Sequence, residues 1–134
     1  MEAILYTDGG SRGNPGPAGS GAVLFSQDGE VIAEAKRYLG QATNNVAEYT
    51  AIIIGLDLAV EHGVTNLLAR MDSELAVKQL NGKYRVKNPE LAKLFLQVKE
   101  RAGQLGRVTF EHVRRERNKH ADGLVNRAID EALA

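Results

Sequence analysis

Four acidic residues stand at places where the sequence pattern predicts that a strand ends or a helix begins: Asp8, Glu48, Asp72 and Asp122. They are spread over the whole chain, so only the fold can bring them together. A parallel α/β sheet can do this, because ligands collect at the edge where the carboxyl ends of its central strands meet. Carboxylates gathered there would repel one another unless divalent cations were bound. The pattern therefore predicts a metal site.

The composition limits what kind of protein can carry such a site. The chain has 134 residues, of which 43% are hydrophobic, and this size predicts one domain over residues 1–134. Because 17 basic and 17 acidic side chains balance, nucleic acid could be bound only through a local basic patch or through metal ions. The absence of Cys excludes disulfides and thiolate metal sites. Apolar runs are too short to span a membrane, and we expect a monomer in the cytoplasm.

Hydrophobic periodicity and turn residues predict the order of the secondary structure elements. The predicted strands cover residues 3–7, 20–27, 30–38, 65–71 and 107–113. Asn44 or Asn45 is expected to cap a first helix that runs to about His62. The other predicted helices run from Asp72 to about Asn81, from Pro89 to about Gly103 and from Lys119 to about Leu133. Asp28-Gly29 is expected to form a two-residue hairpin turn. Asn118 is expected to cap the last helix. The order βββαβααβα implies an α/β fold with a five-stranded mixed sheet and helices on both faces.

Each of the four acids also has a simpler structural explanation. Asp8, before two glycines, could form an Asx turn, and Asp72 could be a helix N-cap. Glu48 lies three residues after Asn45 and fits a capping box, while Asp122 suits the first turn of a helix. These explanations are ordinary one at a time, but a single topology brings all four acids to one end of the sheet. Two Mg²⁺ ions held there could activate water against a phosphodiester.

The segment between Asp8 and the second strand is rich in glycine. It contains neither a phosphate-binding P-loop motif nor a dinucleotide-binding motif, and a hairpin follows it. We interpret it as a turn whose backbone N–H groups and Asn14 amide meet a sugar-phosphate chain at close range. Thr43-Asn44-Asn45 offers similar donors at a helix N-terminus.

A basic segment immediately precedes Asp122. Its six members lie within nine positions and are opposed only by Glu116: His112, Arg114, Arg115, Arg117, Lys119 and His120. A solvated loop is the simpler interpretation. Next to bound metal ions, however, the segment would meet a phosphate backbone, so Arg114 and Arg115 are candidate substrate contacts.

Together these motifs resemble ribonuclease H of type 1. The shared motifs extend over essentially the whole chain and are Tyr6-Thr7-Asp8-Gly9-Gly10-Ser11, Gly13-Asn14-Pro15-Gly16-Pro17, Thr43-Asn44-Asn45 with Glu48, Met71-Asp72-Ser73, and Asn118 followed by Ala121-Asp122. The resemblance implies the ribonuclease H fold and an endonuclease that uses two Mg²⁺ ions, or Mn²⁺, to cut the RNA strand of an RNA/DNA hybrid. The products would carry 5′-phosphate and 3′-hydroxyl ends.

The resemblance also implies roles for individual residues. The catalytic metal ligands would be Asp8, Glu48, Asp72 and Asp122, and the residues in contact with the hybrid would be Gly10, Asn14, Thr43, Asn44 and Asn45. Contacts to consecutive 2′-hydroxyls would distinguish RNA from DNA. Glu74 stands where relatives often have a Gln that contacts the hybrid, so we expect a different or indirect contact there.

Two further departures distinguish this chain from many relatives. The loop that often carries a helper His is shortened to Arg114-Arg115-Glu116-Arg117-Asn118, and the basic handle that contains Trp is missing. The chain thus resembles the shorter forms of the family. A hybrid-binding module without catalysis, and a related nuclease acting on another duplex, remain the alternative hypotheses.

Overall fold

Five strands form one mixed sheet in the computed structural model, which describes residues 1–134. In chain order the elements are β1 (Glu2–Ser11), β2 (Gly16–Ser26), β3 (Val31–Ala42), α1 (Asn44–Glu61), β4 (Asn66–Met71), α2 (Glu74–Leu80), α3 (Pro89–Ala102), β5 (Arg107–His112) and α4 (Lys119–Leu133). The strand order is β3-β2-β1-β4-β5. Pairing is antiparallel from β1 through β3 and parallel between β1, β4 and β5. The predicted element order and fold class are confirmed.

The first strand continues well beyond its predicted end. Its parallel pairing with β4 stops at the pair Thr7 and Met71, but its antiparallel pairing with β2 continues to Ser11. Asp8 therefore lies inside a strand, and the alternative of an Asx turn was wrong. The reason is tertiary: a side chain at Gly9 would collide with the main chain of α1 at Ala47, so glycine lets the helix lie directly on this strand.

The turn between β2 and β3 is wider than the sequence predicted. Gly29 has a positive φ of 87°, but Asp28 does not. The Gly29 N–H donates to the Ser26 carbonyl at 3.0 Å, and the Ser26 N–H donates to the Glu30 carbonyl at 2.9 Å. A two-residue turn of the predicted type requires positive φ at both central residues, so that prediction was wrong.

The first helix begins one residue earlier than the cap prediction allowed. Thr43 is the N-cap, and its Oγ1 accepts a hydrogen bond from the Val46 N–H at 3.2 Å. The prediction of a cap at Asn44 or Asn45 was therefore wrong. Glu48 lies five residues beyond this cap and belongs to no capping box.

The N-terminal caps of α2 and α4 also differ from the predictions made for Asp72 and Asn118. Ser73 caps α2, because its hydroxyl accepts from the Ala76 N–H at 3.2 Å, so Asp72 is not the cap. Asn118 occupies the N-cap position of α4, but its side chain makes no capping hydrogen bond. Both side chains are consequently available for other contacts.

Helices cover both faces of the sheet, as predicted. Neighbouring residues of β2 show this: the Ser20 hydroxyl donates to the Ala47 carbonyl of α1 at 2.7 Å, while a Cβ at Gly21 would lie 2.7 Å from the Ala121 carbonyl oxygen of α4. The largest fully buried aliphatic side chains lie between sheet and helices: Leu5, Leu24, Ile52, Leu56, Leu67, Met71 and Leu124. None of the helices combines the length and the apolar character needed to cross a lipid bilayer.

The contact between Gly21 and α4 predicts a loss of stability on substitution. In Gly21→Ala the new methyl group would overlap the Ala121 carbonyl and the Leu124 side chain, both 2.7 Å away, so α4 must shift. We expect the free energy of unfolding to fall by about 1 to 3 kcal/mol in urea denaturation. Gly123→Ala is the matched control, because its Cβ meets open space within α4 and should stabilise the protein by up to about 1 kcal/mol. Equal effects of the two changes would contradict this account of the packing.

Candidate active site

Two of the predicted acids lie side by side at the carboxyl edge of the central parallel strands. Asp8 and Asp72 each follow the last parallel pair between β1 and β4, which joins Thr7 and Met71. Glu48 reaches the same place from the first turns of α1. One carboxylate oxygen from each of Asp8, Glu48 and Asp72 lies within 4.8 Å of the other two. The fold thus brings together acids that are far apart in the sequence.

The fourth acid approaches from the other side of the sheet. Asp122, in the first turn of α4, lines the same cleft as Asp8, and its charge contributes to the raised pKa of Asp8. Its carboxylate lies outside the tight group formed by the other three, but all four acids line one open cleft of about 480 Å³. The site therefore combines a compact trio with a neighbouring fourth carboxylate.

Burial and mutual repulsion change the acid–base properties of this cluster. Desolvation, followed by the charges of Asp72 and Asp122, raises the pKa of Asp8 to about 8. Burial and then the charges of Asp8 and Asp72 raise the pKa of Glu48 well above its usual range, while the Gly9 N–H and Arg115 oppose this effect. Protons thus compete with any cation for these oxygens.

The donor set fits a hard divalent cation. Carboxylate oxygens are its only charged ligands, and no thiolate is present. The Oε2 atom of Glu48 is buried and has no hydrogen-bond partner, and an unpaired buried acceptor is costly. A cation bound between Asp8, Glu48 and Asp72 would satisfy this oxygen and offset the repulsion.

Several predicted substrate contacts lie on the rim of this cleft. Gly10, Asn44 and Asn45 line it directly. Asn14 is not part of the lining, but its Oδ1 accepts a hydrogen bond from the Asn44 N–H at 3.1 Å. The Asn44 side chain in turn accepts from the Ser11 N–H at 2.8 Å, which ties the glycine-rich turn to the start of α1. Thr43 is occupied as the cap of that helix.

The charged candidates are divided between the cleft and its surroundings. Arg115 lines the cleft and begins a single 3-10 turn, Arg115–Arg117. Arg114 lies one residue before this turn and lines a different surface depression, beside Arg70 and Glu111. Glu74 is outside the cleft lining and forms an exposed ion pair with Lys78 at 3.3 Å. The proposed contact between Glu74 and the substrate would therefore require this ion pair to rearrange.

Sequence reasoning missed two asparagines that contact the acids. The Asn118 amide donates to the Thr7 carbonyl at 2.8 Å and to Asp72 at 3.2 Å. Asn126 donates to Asp122 at 3.4 Å, one helical turn away, and this spacing was visible in the sequence. The role of Asn118 was hidden, because an Asn at the start of a helix usually indicates a cap.

A third residue that sequence reasoning missed is Arg12, which lines the cleft beside α4. Its guanidinium donates to Asn126 at 3.4 Å and pairs with Asp130 at 2.7 Å. Arg12 thereby joins the glycine-rich turn to the helix that carries Asp122.

Comparison with known proteins identifies the family. A family model described as reverse transcriptase-like matches residues 6–128. Ribonuclease H of Hydrogenovibrio crunogenus is 34% identical, and the match covers 98% of this chain and 97% of that protein. The chain belongs to the ribonuclease H family. Ribonuclease HI of Halobacterium salinarum is 42% identical over 95% of this chain and 64% of the relative. The chain spans only 36% of a bifunctional protein of Mycobacterium tuberculosis, to which it is 50% identical.

Solved ribonuclease H structures have the same architecture. The N-terminal RNase H domain of the M. tuberculosis protein superposes with a TM-score of 0.96 at 49% identity, covering 99% of this chain and 96% of that one. LC11-RNase H1, crystallised in complex with an RNA/DNA hybrid, superposes with a TM-score of 0.94 at 44% identity, covering 98% and 99%. A foamy viral protease-reverse transcriptase, at 17% identity and a TM-score of 0.77, shares the fold.

The raised pKa of Asp8 predicts how stability depends on pH without metal. The folded protein keeps the Asp8 proton up to about pH 8, whereas the unfolded chain releases it near the ordinary value of 3.8. The contribution of this group is therefore greatest below pH 3.8 and declines as the pH rises to about 8. In EDTA at pH 8 to 9, Asp8→Asn should unfold at a higher temperature than the parent. Its free energy of unfolding should be greater by on the order of 1 to 3 kcal/mol.

Two controls define this experiment. Asp28→Asn removes an exposed carboxylate from the β2–β3 turn and should leave the pH dependence of unfolding unchanged. Added Mg²⁺ should stabilise the parent but not Asp8→Asn, which reverses their order. If the unfolding temperatures of the parent and Asp8→Asn depended on pH in the same way in EDTA, the raised pKa of Asp8 would not contribute to stability, and the prediction would be wrong.

Proposed function

We propose that this chain is an endonuclease that hydrolyses the RNA strand of RNA/DNA hybrids and leaves 5′-phosphate and 3′-hydroxyl ends. One observation carries the proposal: three carboxylates from β1, α1 and the end of β4 converge within 4.8 Å in an open cleft that Asp122 also lines. Membership of the ribonuclease H family and the hybrid bound to LC11-RNase H1 support the choice of substrate.

The four acids have different parts in the proposed reaction. Mg²⁺ ions held by Asp8, Glu48, Asp72 and Asp122 would supply an activated water and stabilise the leaving oxygen. Asp8 and Asp72, fixed on neighbouring strands, anchor the site. Asp122, on the first turn of α4, would help to hold the other ion and orient the attacking water. Mg²⁺ is preferred in the proposal because every charged donor is a carboxylate oxygen.

Glu48 gives the site a means of recognising ribose. Its carboxylate lines the open cleft, and a carboxylate that holds a cation has lone pairs left to accept a hydrogen bond from a 2′-hydroxyl. DNA lacks this hydroxyl and cannot form the contact. Glu48 thereby links strand choice to the metal site.

The rim of the cleft is suited to a phosphate backbone. Asn44 and Asn45 stand in the first turn of α1, where the helix dipole favours anions. Gly10 has no side chain, so the sugar-phosphate chain can approach β1 closely. Arg115 adds a positive charge to the lining of the cleft. A single domain over residues 1–134, a monomeric state and a cytoplasmic location stay predictions from the sequence.

A digestion experiment tests the function directly. The parent, incubated with Mg²⁺ and matched RNA/DNA hybrid, double-stranded RNA or double-stranded DNA, should cut only the RNA of the hybrid. Asp72→Asn should lower kcat at least about 100-fold while binding of the hybrid persists, because a metal ligand is lost but the rim is intact. Asp57→Asn, which disrupts an exposed ion pair between Asp57 on α1 and Arg101 on α3, should cut like the parent.

Each of the other outcomes identifies an alternative. A parent that binds the hybrid with Mg²⁺ present but never cuts it would be a non-catalytic binding module. Cleavage of the DNA duplex at the same rate would indicate a related nuclease with another substrate. Full activity of Asp72→Asn would show that cleavage does not require this carboxylate cluster.

The charge of Arg115 predicts a separate effect on substrate binding. Arg115→Ala should raise KM for the hybrid several-fold and lower the slope of log K against log salt by about one, because one phosphate contact is lost. The value of kcat should change little. Arg107→Ala, at the opposite edge of the sheet where β5 begins, is the control and should leave KM and the salt slope unchanged. A loss in kcat with constant KM would mean that Arg115 acts on the metal site instead.

A further inference from the structure

Asn118 occupies an unusual position for a polar side chain. It stands at the start of α4 and is only 1% exposed, although residues at a helix start are normally exposed to solvent. Its amide does not cap the helix, which would be the ordinary use of an Asn at that point. The three other α-helices of this protein do have side-chain caps at the corresponding position: Thr43, Ser73 and Asn88. The side chain of Asn118 is therefore directed to something other than its own helix.

Both hydrogens of the Asn118 amide are used on the central strands. One is donated to the Thr7 carbonyl at 2.8 Å and the other to the Asp72 Oδ2 at 3.2 Å. The two acceptors fix the orientation of the amide, since the reverse orientation would set Oδ1 against a carbonyl and a carboxylate. In the orientation observed, Oδ1 is buried without a partner. The contact to the strands is kept even though one polar atom stays unsatisfied.

These contacts connect Asn118 with three of the four acids. It touches Asp72 directly, and it holds the carbonyl of the residue before Asp8. Through the helix itself, the Asn118 carbonyl accepts from the Asp122 N–H at 3.0 Å. A single side chain and its own peptide group thus set the first turn of α4 against the ends of β1 and β4.

We propose that Asn118 is a positioning residue, which holds the Asp72 carboxylate and the first turn of α4 in the arrangement that binds divalent cations. Removing a group that hydrogen-bonds a metal ligand typically lowers metal affinity or activity by roughly 10- to 100-fold. Metal binding is part of the proposed function, and the catalytic consequence rests on it. The effect on cation affinity can be measured without any substrate.

Asn118→Ala tests the proposal. Stabilisation by Mg²⁺ is followed as the unfolding temperature over a titration from EDTA to high Mg²⁺. We expect the midpoint concentration of Mg²⁺ to rise about 10-fold or more, because Asp72 loses its fixed donor. On the RNA/DNA hybrid, kcat should fall about 10-fold or more at low Mg²⁺ and recover in part at high Mg²⁺, while KM stays within about 2-fold.

A matched control separates positioning from simple stability. Asn81 also donates from its side-chain amide to a strand carbonyl, that of Phe110 on β5, at 3.2 Å, but it contacts none of the four acids. Asn81→Ala should lower the unfolding temperature in EDTA while the Mg²⁺ midpoint and kcat stay at the values of the parent. Asn118→Ser, whose hydroxyl can donate one hydrogen bond, should lie between Asn118→Ala and the parent in Mg²⁺ midpoint.

Two results would overturn the proposal. One is a folded Asn118→Ala whose Mg²⁺ midpoint and kcat match those of Asn81→Ala. The other is that Asn118→Ala and Asn118→Ser are both unfolded in EDTA and in Mg²⁺, which would make Asn118 a structural residue only. If the parent binds Mg²⁺ but cuts no hybrid, the proposed function fails, and the Mg²⁺ midpoints still decide the role of Asn118.

Discussion

The arrangement of the site depends on the parallel pairing of β1 with β4. This pairing ends at Thr7 and Met71, so the next residue of each strand, Asp8 or Asp72, stands at the same edge of the sheet. A parallel pair fixes both the direction and the register of its strands, and a shift by one residue would turn one of these acids to the opposite face. Everything else at the site is placed relative to these two carboxylates.

Close helix packing then brings in the other two acids. Gly9 allows α1 to lie on β1 at the level of Glu48, and Gly21 allows α4 to lie on β2 at the level of Asp122. Larger residues at either glycine would move a helix outward and carry its acid away from the strands. Small residues in the sheet are thus as necessary for the site as the acids themselves.

This construction has an electrostatic cost in the absence of cations. Burial and like charges raise the pKa of Asp8 and of Glu48, and Glu48 keeps an unpaired buried oxygen. The hydrophobic core beneath, with side chains such as Leu5 and Met71 fully buried, stabilises the fold against this repulsion. Strain of this kind at a site is usual where activity requires groups that would not otherwise lie together. A divalent cation bound at this cluster would offset the repulsion.

The sequence by itself determined the order of the elements and the helices that begin at Pro89 and Lys119, because hydrophobic periodicity and motif spacing are local properties. The sequence also pointed to the four acids that line one cleft, and their catalytic role stays a prediction. The sequence could not determine which of several neighbouring polar residues caps a helix. Ser, Thr, Asn and Asp differ in capping preference by too little to separate Thr43 from Asn44, or Ser73 from Asp72. Only the tertiary structure decided that β1 passes through Gly9, where α1 lies against it, and that the buried Asn118 turns away from its helix toward Thr7 and Asp72. Contacts between residues far apart in the chain outweigh weak local preferences at these positions, and such contacts exist only once the sheet and its helices have packed.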